Sequence, residues 1–77
     1  MENIRSILAS TFRIKEADLS EGTELKEIET WDSLTHMEMI ANLESALNIE
    51  FDVDEIMQMI SVKAIEDIVA RKLAHGN

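Results

Sequence analysis

The sequence predicts an all-α fold: a small four-helix bundle with three longer helices, one short third helix and a long loop between helices 1 and 2. Apolar residues recur at three- and four-residue spacing in several segments, which is the spacing of one helix face. The 77 residues include no Pro and only two Gly. Hairpin-rich β folds need such residues at their turns, so the composition disfavours them. A chain of this length predicts one domain over residues 1–77.

The first helix is predicted from about Glu2 to Arg13. Its apolar stripe lies on one face: Ile4, Ile7, Leu8, Thr11 and Phe12. Residues 14–32 show no helical period and contain several turn formers, so they predict a long loop, with a short helical turn allowed near residues 24–28. Scattered apolar residues would anchor this loop to the helices: Leu19, Leu25, Ile28 and Trp31. A loop of this length in a small domain is often functional.

The second helix is predicted to begin at Asp32 or Ser33, each a good N-cap, and to end near Leu47 or Asn48. A helical wheel places its core face on the same side as His36: Met39, Ile40, Leu43, Ala46 and Leu47. A smaller apolar group lies elsewhere on the wheel, between Glu38 and Glu44: Leu34, Met37 and Ala41. This group is either an extension of the core or an exposed docking site with an acidic rim.

The last two helices follow an extended link over residues 49–51. The third is short, roughly residues 54–59, and is capped by Asp52 or Asp54. Ser61 caps the fourth, whose apolar stripe predicts its packed face: Val62, Ile65, Ile68, Val69 and Leu73. Residues 74–77 are expected to fray. Met39 and one of Met57 and Met59 are expected in the core.

Negative charge is concentrated in the middle of the sequence. The formal net charge is −9. Residues 27–62 contain nine acidic residues and no Lys or Arg, whereas the seven acids and seven bases elsewhere cancel. The excess is either a solvated face or a docking surface for a partner with a basic patch. It disfavours nucleic acid as a partner, because phosphate binding needs clustered Lys and Arg.

Several functional classes are disfavoured by what the sequence lacks. Without Cys there is no disulfide, no thiolate zinc site and no thiol nucleophile. Apolar runs do not exceed three residues, which predicts no membrane span and no signal peptide, and so a cytoplasmic location. The acids near Asp52 lack the spacing of a calcium loop, so no dedicated metal site is predicted. His36 is expected to be a half-buried structural residue rather than a catalytic base.

Ser33 follows an acid, precedes an apolar residue and lies at a predicted helix start after a long loop. By themselves, Asp32 and Ser33 are an ordinary capping pair, at a helix N-terminus that would also favour a phosphate ester. The longer segment from Trp31 to Ile40, Trp-Asp-Ser-Leu-Thr-His-Met-Glu-Met-Ile, resembles the phosphopantetheine-attachment motif of the acyl carrier protein family. The resemblance extends over the whole chain, through the helix order, the long first loop and the acidity.

The resemblance implies a carrier that has no catalytic activity of its own. Ser33 would receive 4′-phosphopantetheine from coenzyme A through a phosphopantetheinyl transferase, to which Asp32 would help to present it. The thiol of that arm would hold an acyl or aminoacyl group as a thioester. The other implied partner is a loading ligase or synthase with a basic docking patch, and the chain is expected to be a monomer. The partner-binding residues that the resemblance implies are Leu34, Met37, Glu38 and Glu44, and the smaller apolar group on the helical wheel adds Ala41.

One position departs from the family pattern. Many fatty-acid carriers have Gly two residues before the Asp, whereas this chain has Thr30. The segment is therefore more similar to carriers of specialised pathways, such as polyketide, modified-lipid or aminoacyl systems. Two other functions stay open: an unmodified acidic helical adaptor for a basic partner, and a small enzyme that uses Ser33 or His36. The enzyme has the least support, because no triad arrangement and no phosphate-cradling glycines are evident.

Overall fold

Four α-helices form the part of the chain that the computed structural model describes, residues 3–74. The helices are α1 (Ile4–Phe12), α2 (Ser33–Leu47), α3 (Val53–Gln58) and α4 (Val62–Ala74). The long connection between α1 and α2 contains two 3-10 turns, Glu16–Asp18 and Leu25–Glu27. No strand occurs within these residues. The predicted all-α bundle with a long first loop is confirmed, and the second 3-10 turn lies where a helical turn was allowed.

The boundaries of α1 follow from its two caps. Asn3 precedes the helix, and its side-chain oxygen accepts a hydrogen bond from the Ser6 amide at 2.7 Å. The predicted start at Glu2 lies outside the described residues. The helix ends at Phe12, one residue earlier than predicted, because Arg13 adopts a left-handed conformation with φ of 59°. A non-glycine residue in this region is uncommon, and nothing in the sequence indicated it.

The later boundaries correct the predictions by one residue. α3 begins at Val53 rather than at residue 54, because Asp52 is its cap and accepts from the Glu55 amide at 2.8 Å. The predicted Ser61 cap of α4 is confirmed, since its hydroxyl accepts from the Ala64 amide at 3.1 Å. Ala74 was expected to fray but is helical. The other positions of that expectation, 75–77, lie outside the described residues.

One core joins all four helices and the long loop. The loop anchors Leu19, Leu25 and Ile28 are buried as predicted, and Trp31 packs half-buried against the same core. Helices α1, α2 and α4, the link before α3 and the residue that follows α3 supply the other buried residues: Ile7, Leu8, Ala9, Phe12, Met39, Ile40, Leu43, Ile49, Phe51, Met59, Val62, Ile65, Ile68 and Val69. One of Met57 and Met59 was expected in the core: Met59 is buried there, whereas Met57 is exposed.

Three residues predicted in the core are less buried than expected. Ala46 is exposed, Leu47 is only partly buried, and Leu73 is 53% exposed. All three line an open groove between α1, α2 and α4. They remain accessible because the helices do not close over this groove. A helical wheel gives the direction of a side chain but not the extent of the neighbouring helix that would cover it.

Backbone hydrogen bonds fasten the long loop to the start of α4. The Leu25 amide donates to the Ile60 carbonyl at 3.0 Å, and the Val62 amide donates to the Thr23 carbonyl at 2.9 Å. The Lys63 amide donates to the Glu21 carbonyl at 3.2 Å. The last two bonds satisfy free amide groups in the first turn of α4, and all three hold the loop in place without a sheet. The loop that leads to the start of α2 is therefore anchored to α4.

Candidate functional site

Ser33 is the first residue of α2 and is exposed to solvent. Its hydroxyl makes no hydrogen bond to another part of the described chain. It lies beside the free amide groups and partial positive charge of the N-terminus of a 15-residue helix. An exposed hydroxyl in this position is accessible to an incoming phosphate group.

Asp32 fixes the turn that carries Ser33. Its side-chain oxygen accepts a hydrogen bond from the Thr35 amide at 2.8 Å, and the Thr35 hydroxyl accepts from the Asp32 amide at 2.8 Å. This reciprocal capping box confirms Asp32 as the N-cap, one of the two predicted cap residues. Hydrogen bonds from the amide of Thr35, and also from its hydroxyl and the Leu34 amide, lower the pKa of Asp32. A carboxylate is thus held ionised next to the Ser33 hydroxyl.

The loop just before Ser33 is attached to the end of α1. The Thr30 hydroxyl donates to the carbonyl of Phe12, the last residue of α1, at 2.7 Å. The Thr35 hydroxyl lies 3.1 Å from the Thr30 carbonyl and can donate to it. Thr30, the position that departs from the family pattern, therefore satisfies a carbonyl at a helix end, which Gly could not do with a side chain. No local sequence pattern indicated this contact, which joins residues 18 positions apart.

His36 contacts the loop on one side and α3 on the other. Its Nδ1 accepts from the Trp31 indole N–H at 3.1 Å, and its Nε2 lies 3.1 Å from the Ile56 carbonyl. The two rings meet edge to face, with centroids 5.9 Å apart. His36 is half-buried as expected, and both ring nitrogens have partners within the fold. No free nitrogen is left to take a proton from Ser33, so the geometry does not favour the small-enzyme hypothesis.

The second apolar group on α2 is exposed and is not an extension of the core. Leu34 is 69% exposed and Met37 is 52% exposed. Ala41 and Glu38 are also exposed. We call these four residues the α2 patch. It starts at the residue that follows Ser33 and continues along two turns of the helix.

Glu44 differs from the α2 patch with which the sequence grouped it. It is half-buried, and its carboxylate accepts from the Phe51 amide at 2.9 Å. This bond ties the end of α2 to the link before α3. Glu44 thus has a structural role that the helical wheel did not indicate, because the wheel represents only the helix and Phe51 lies beyond its end.

Three apolar residues on and after α3 are also exposed, and sequence reasoning did not include them in a site. Val53, Met57 and Ile60 are 70%, 71% and 67% exposed. A short helix with such side chains in water is a candidate contact surface. The sequence did not indicate their exposure, because a helix of six residues is too short for its apolar spacing to identify a buried face.

The family comparison decides between the functional classes. The family of the phosphopantetheine attachment site matches residues 2–69. The chain belongs to this family of carrier domains. Its members carry groups and are not catalytic, and their cofactor is 4′-phosphopantetheine, as the sequence predicted.

A solved carrier structure supports the assignment. The solution NMR structure of a holo acyl carrier protein from Geobacter metallireducens is similar over 95% of this chain and 84% of that chain. The two share 32% sequence identity, with a TM-score of 0.85. No curated protein matches the sequence. The carrier fold that the resemblance implied is therefore confirmed by structure as well as by family.

The residues at the start of α2 fit the prosthetic group of such a carrier. Ser33 offers an exposed hydroxyl that makes no hydrogen bond to any other group in residues 3–74, and the helix N-terminus favours a phosphodiester. Within residues 3–74, no group of three or more His, Asp or Glu residues is placed to bind a metal ion. No helix in that range is long and apolar enough to cross a membrane.

Proposed function

We propose that Ser33 carries the 4′-phosphopantetheine arm and that the chain, as one carrier domain, presents an acyl or aminoacyl group to partner enzymes. The observation that supports this most directly is the free, exposed hydroxyl of Ser33 in the first turn of α2, next to the Asp32 carboxylate. The arm supplies the thiol that this Cys-free chain lacks, and its cargo is held there as a thioester.

The chain's own residues prepare Ser33 for modification. The capping box of Asp32 and Thr35 holds the backbone of the first turn of α2, so that the Cα–Cβ bond of Ser33 keeps one direction relative to the helix axis. Ser33 Oγ forms the new bond to phosphorus in coenzyme A, adenosine bisphosphate leaves, and the transferase takes the hydroxyl proton. The Asp32 carboxylate is the charged group on the carrier that the transferase would recognise beside the reacting hydroxyl.

The docking surface in this proposal is centred on the α2 patch. Leu34 and Met37 offer apolar area beside Ser33, and Glu38 adds charge at its edge. Glu44 lies further along the helix, where one carboxylate oxygen bonds Phe51 and the residue stays half-exposed. A partner with a basic patch and an apolar centre would fit this surface, because long-range attraction speeds encounter and apolar burial holds the complex.

The proposed pathway is a specialised one rather than housekeeping fatty-acid synthesis. Thr30 and Trp31 stand before the Asp32-Ser33-Leu34 triplet, and both make specific contacts in the fold. The proposal places the protein in the cytoplasm as a monomer. Its partners are a phosphopantetheinyl transferase and a loading ligase or synthase.

The cargo is tested on the protein as isolated from its own cells. Intact mass is measured before and after treatment with neutral hydroxylamine, which cleaves thioesters. We expect a mass loss corresponding to an acyl or aminoacyl group, with the arm remaining on the peptide that contains Ser33. A protein that carries the arm on another residue, or that never carries a hydroxylamine-sensitive group, would contradict the proposal.

A further inference from the structure

We propose that His36 is a positioning residue for the modification of Ser33. Together with Trp31 and the Ile56 carbonyl, it forms a chain of two hydrogen bonds that we call the His36 relay. The relay would set the direction in which the first turn of α2 presents Ser33 to the transferase. This inference rests on the proposed function of Ser33.

The relay fixes one tautomer of His36. Trp31 Nε1 is only a donor, so His36 Nδ1 must accept, at 3.1 Å. The Ile56 carbonyl is only an acceptor, so His36 Nε2 must carry the proton that it donates, also at 3.1 Å. Each nitrogen therefore has the role its partner requires, and the imidazole ring is held at both ends.

The relay connects two elements on either side of Ser33. Trp31 lies two residues before Ser33 at the end of the long loop, and His36 lies three residues after it in the first turn of α2. The His36 amide also donates to the Asp32 carbonyl at 2.9 Å, which closes the turn that contains Ser33. The end of the loop, the first turn of α2 and the His36 ring thus form one hydrogen-bonded unit that includes the backbone of Ser33.

The third member of the relay attaches this unit to α3. The Ile56 carbonyl lies in the last turn of α3 and also accepts from the Met59 amide at 3.3 Å. Carbonyls at a helix end lack a full set of partners within the helix, and a histidine donor satisfies one. The turn that holds Ser33 is therefore held against α3, and removal of the imidazole would leave both the indole N–H and this carbonyl with one partner fewer.

The substitutions are chosen to separate the hydrogen bonds from packing. His36→Leu fills similar space but removes both bonds. His36→Gln supplies one acceptor oxygen and one donor nitrogen, so it can restore both. Trp31→Phe keeps an aromatic ring and removes only the indole donor. Ile65→Val is the control, because it loosens a buried position of α4 and leaves the relay intact.

The test is the steady-state kinetics of arm transfer to each variant by a phosphopantetheinyl transferase with coenzyme A and magnesium. A misdirected hydroxyl impairs the reacting geometry more than docking, so we expect His36→Leu to lower kcat roughly tenfold with KM for the carrier near that of the parent. Trp31→Phe should also lower kcat. His36→Gln should have a kcat close to that of the parent. Ile65→Val should keep the parent's kcat.

The single tryptophan gives a second readout of the relay. Trp31 is the only Trp in the chain, so its indole N–H gives one resolved signal in a proton–nitrogen NMR spectrum. We expect His36→Leu to shift this signal and to speed its exchange with solvent several-fold, and His36→Gln to reverse both changes. A generally loosened fold, as in Ile65→Val, would not move the indole signal selectively.

Two results would overturn the inference. A folded His36→Leu with the parent's kcat would do so, as would a loss of kcat no greater than that of Ile65→Val. If His36→Leu does not fold, Trp31→Phe decides by the same criteria. A parent that never gains the arm would instead overturn the proposed function and this inference with it, whereas a modified parent with unaffected variants overturns this inference alone.

Discussion

Asp32 and Thr35 cap each other at the start of α2, with two reciprocal hydrogen bonds of 2.8 Å each. Asp32 and Thr35 lie on either side of Ser33 and Leu34 in sequence, so the two bonds fix the backbone of the turn that contains Ser33. The arrangement gives Asp32 two roles: it caps the N-terminus of α2, and it places an ionised carboxylate next to Ser33, the proposed attachment residue. The two roles have different consequences when the carboxylate is neutralised.

The first prediction concerns the pH dependence of stability. The pKa of Asp32 is lower in the folded chain than its ordinary value of 3.8, chiefly because the Thr35 amide donates to it. The carboxylate therefore adds stability above pH 3.8, and this contribution is lost as the pH falls through the lower folded pKa. Asp32→Asn keeps a good N-cap but does not ionise. The melting-temperature difference between parent and Asp32→Asn should favour the parent at neutral pH and shrink in acid. A difference that stays constant down to low pH would contradict this.

The second prediction concerns the ion pair that holds α3 to α4. Lys72 Nζ lies 2.9 Å from the Glu55 carboxylate, and both side chains are largely covered. Lys72→Met should lower the free energy of unfolding by about 1 kcal/mol, measured by urea denaturation. Lys63→Met is the matched control, because it removes an exposed pair with Asp67 on the same helix and should change little. Equal effects of the two substitutions would refute a specific role for the Lys72 pair.

The third prediction concerns docking through the α2 patch. Leu34→Ala and Met37→Ala remove exposed apolar area next to Ser33, so they should raise KM for the carrier in arm transfer and leave the melting temperature nearly unchanged. Leu73→Ala is the matched control, because Leu73 is 53% exposed but lines the groove between α1, α2 and α4. If Leu73→Ala raises KM as much as the other two, docking does not depend on the α2 patch.

The fourth prediction concerns the concentrated negative charge. Nine acids and no Lys or Arg occupy residues 27–62, and their mutual repulsion opposes the compact state. Added salt or a divalent cation should therefore raise the melting temperature at neutral pH, because ions screen the repulsion. A melting temperature that does not change across a salt titration would show that repulsion among these acids does not destabilise the fold.

Local sequence signals were sufficient for the helices and for much of the site. The three- and four-residue spacing of apolar residues and the cap residues located the helices. The caps Asp32, Asp52 and Ser61 each accept a hydrogen bond from the amide three residues ahead, a contact that local sequence predicts. Asn48 also ends α2 in the left-handed conformation that a C-terminal Asn favours. These features depend on residues within one turn of each other.

Features that depend on long-range placement were missed or wrong. The His36–Ile56 contact joins residues 20 positions apart, and the Thr30–Phe12 contact joins residues 18 apart. Ala46 and Leu73 are exposed because the neighbouring helices do not extend over them. A helical wheel shows the direction of a side chain but not the position of the neighbouring helices. For the same reason, the sequence did not decide whether the apolar residues of the α2 patch are buried in the core or exposed at the surface.

The central claim, that Ser33 is the attachment residue, is tested most directly by intact mass. The purified chain is incubated with coenzyme A, magnesium and a promiscuous phosphopantetheinyl transferase, beside Ser33→Ala and a control, Ser45→Ala, which removes another exposed Ser on α2. We predict that the parent and Ser45→Ala each gain one phosphopantetheine unit and that Ser33→Ala gains none. A folded parent that gains no mass, or a Ser33→Ala that gains the same mass, would contradict the account.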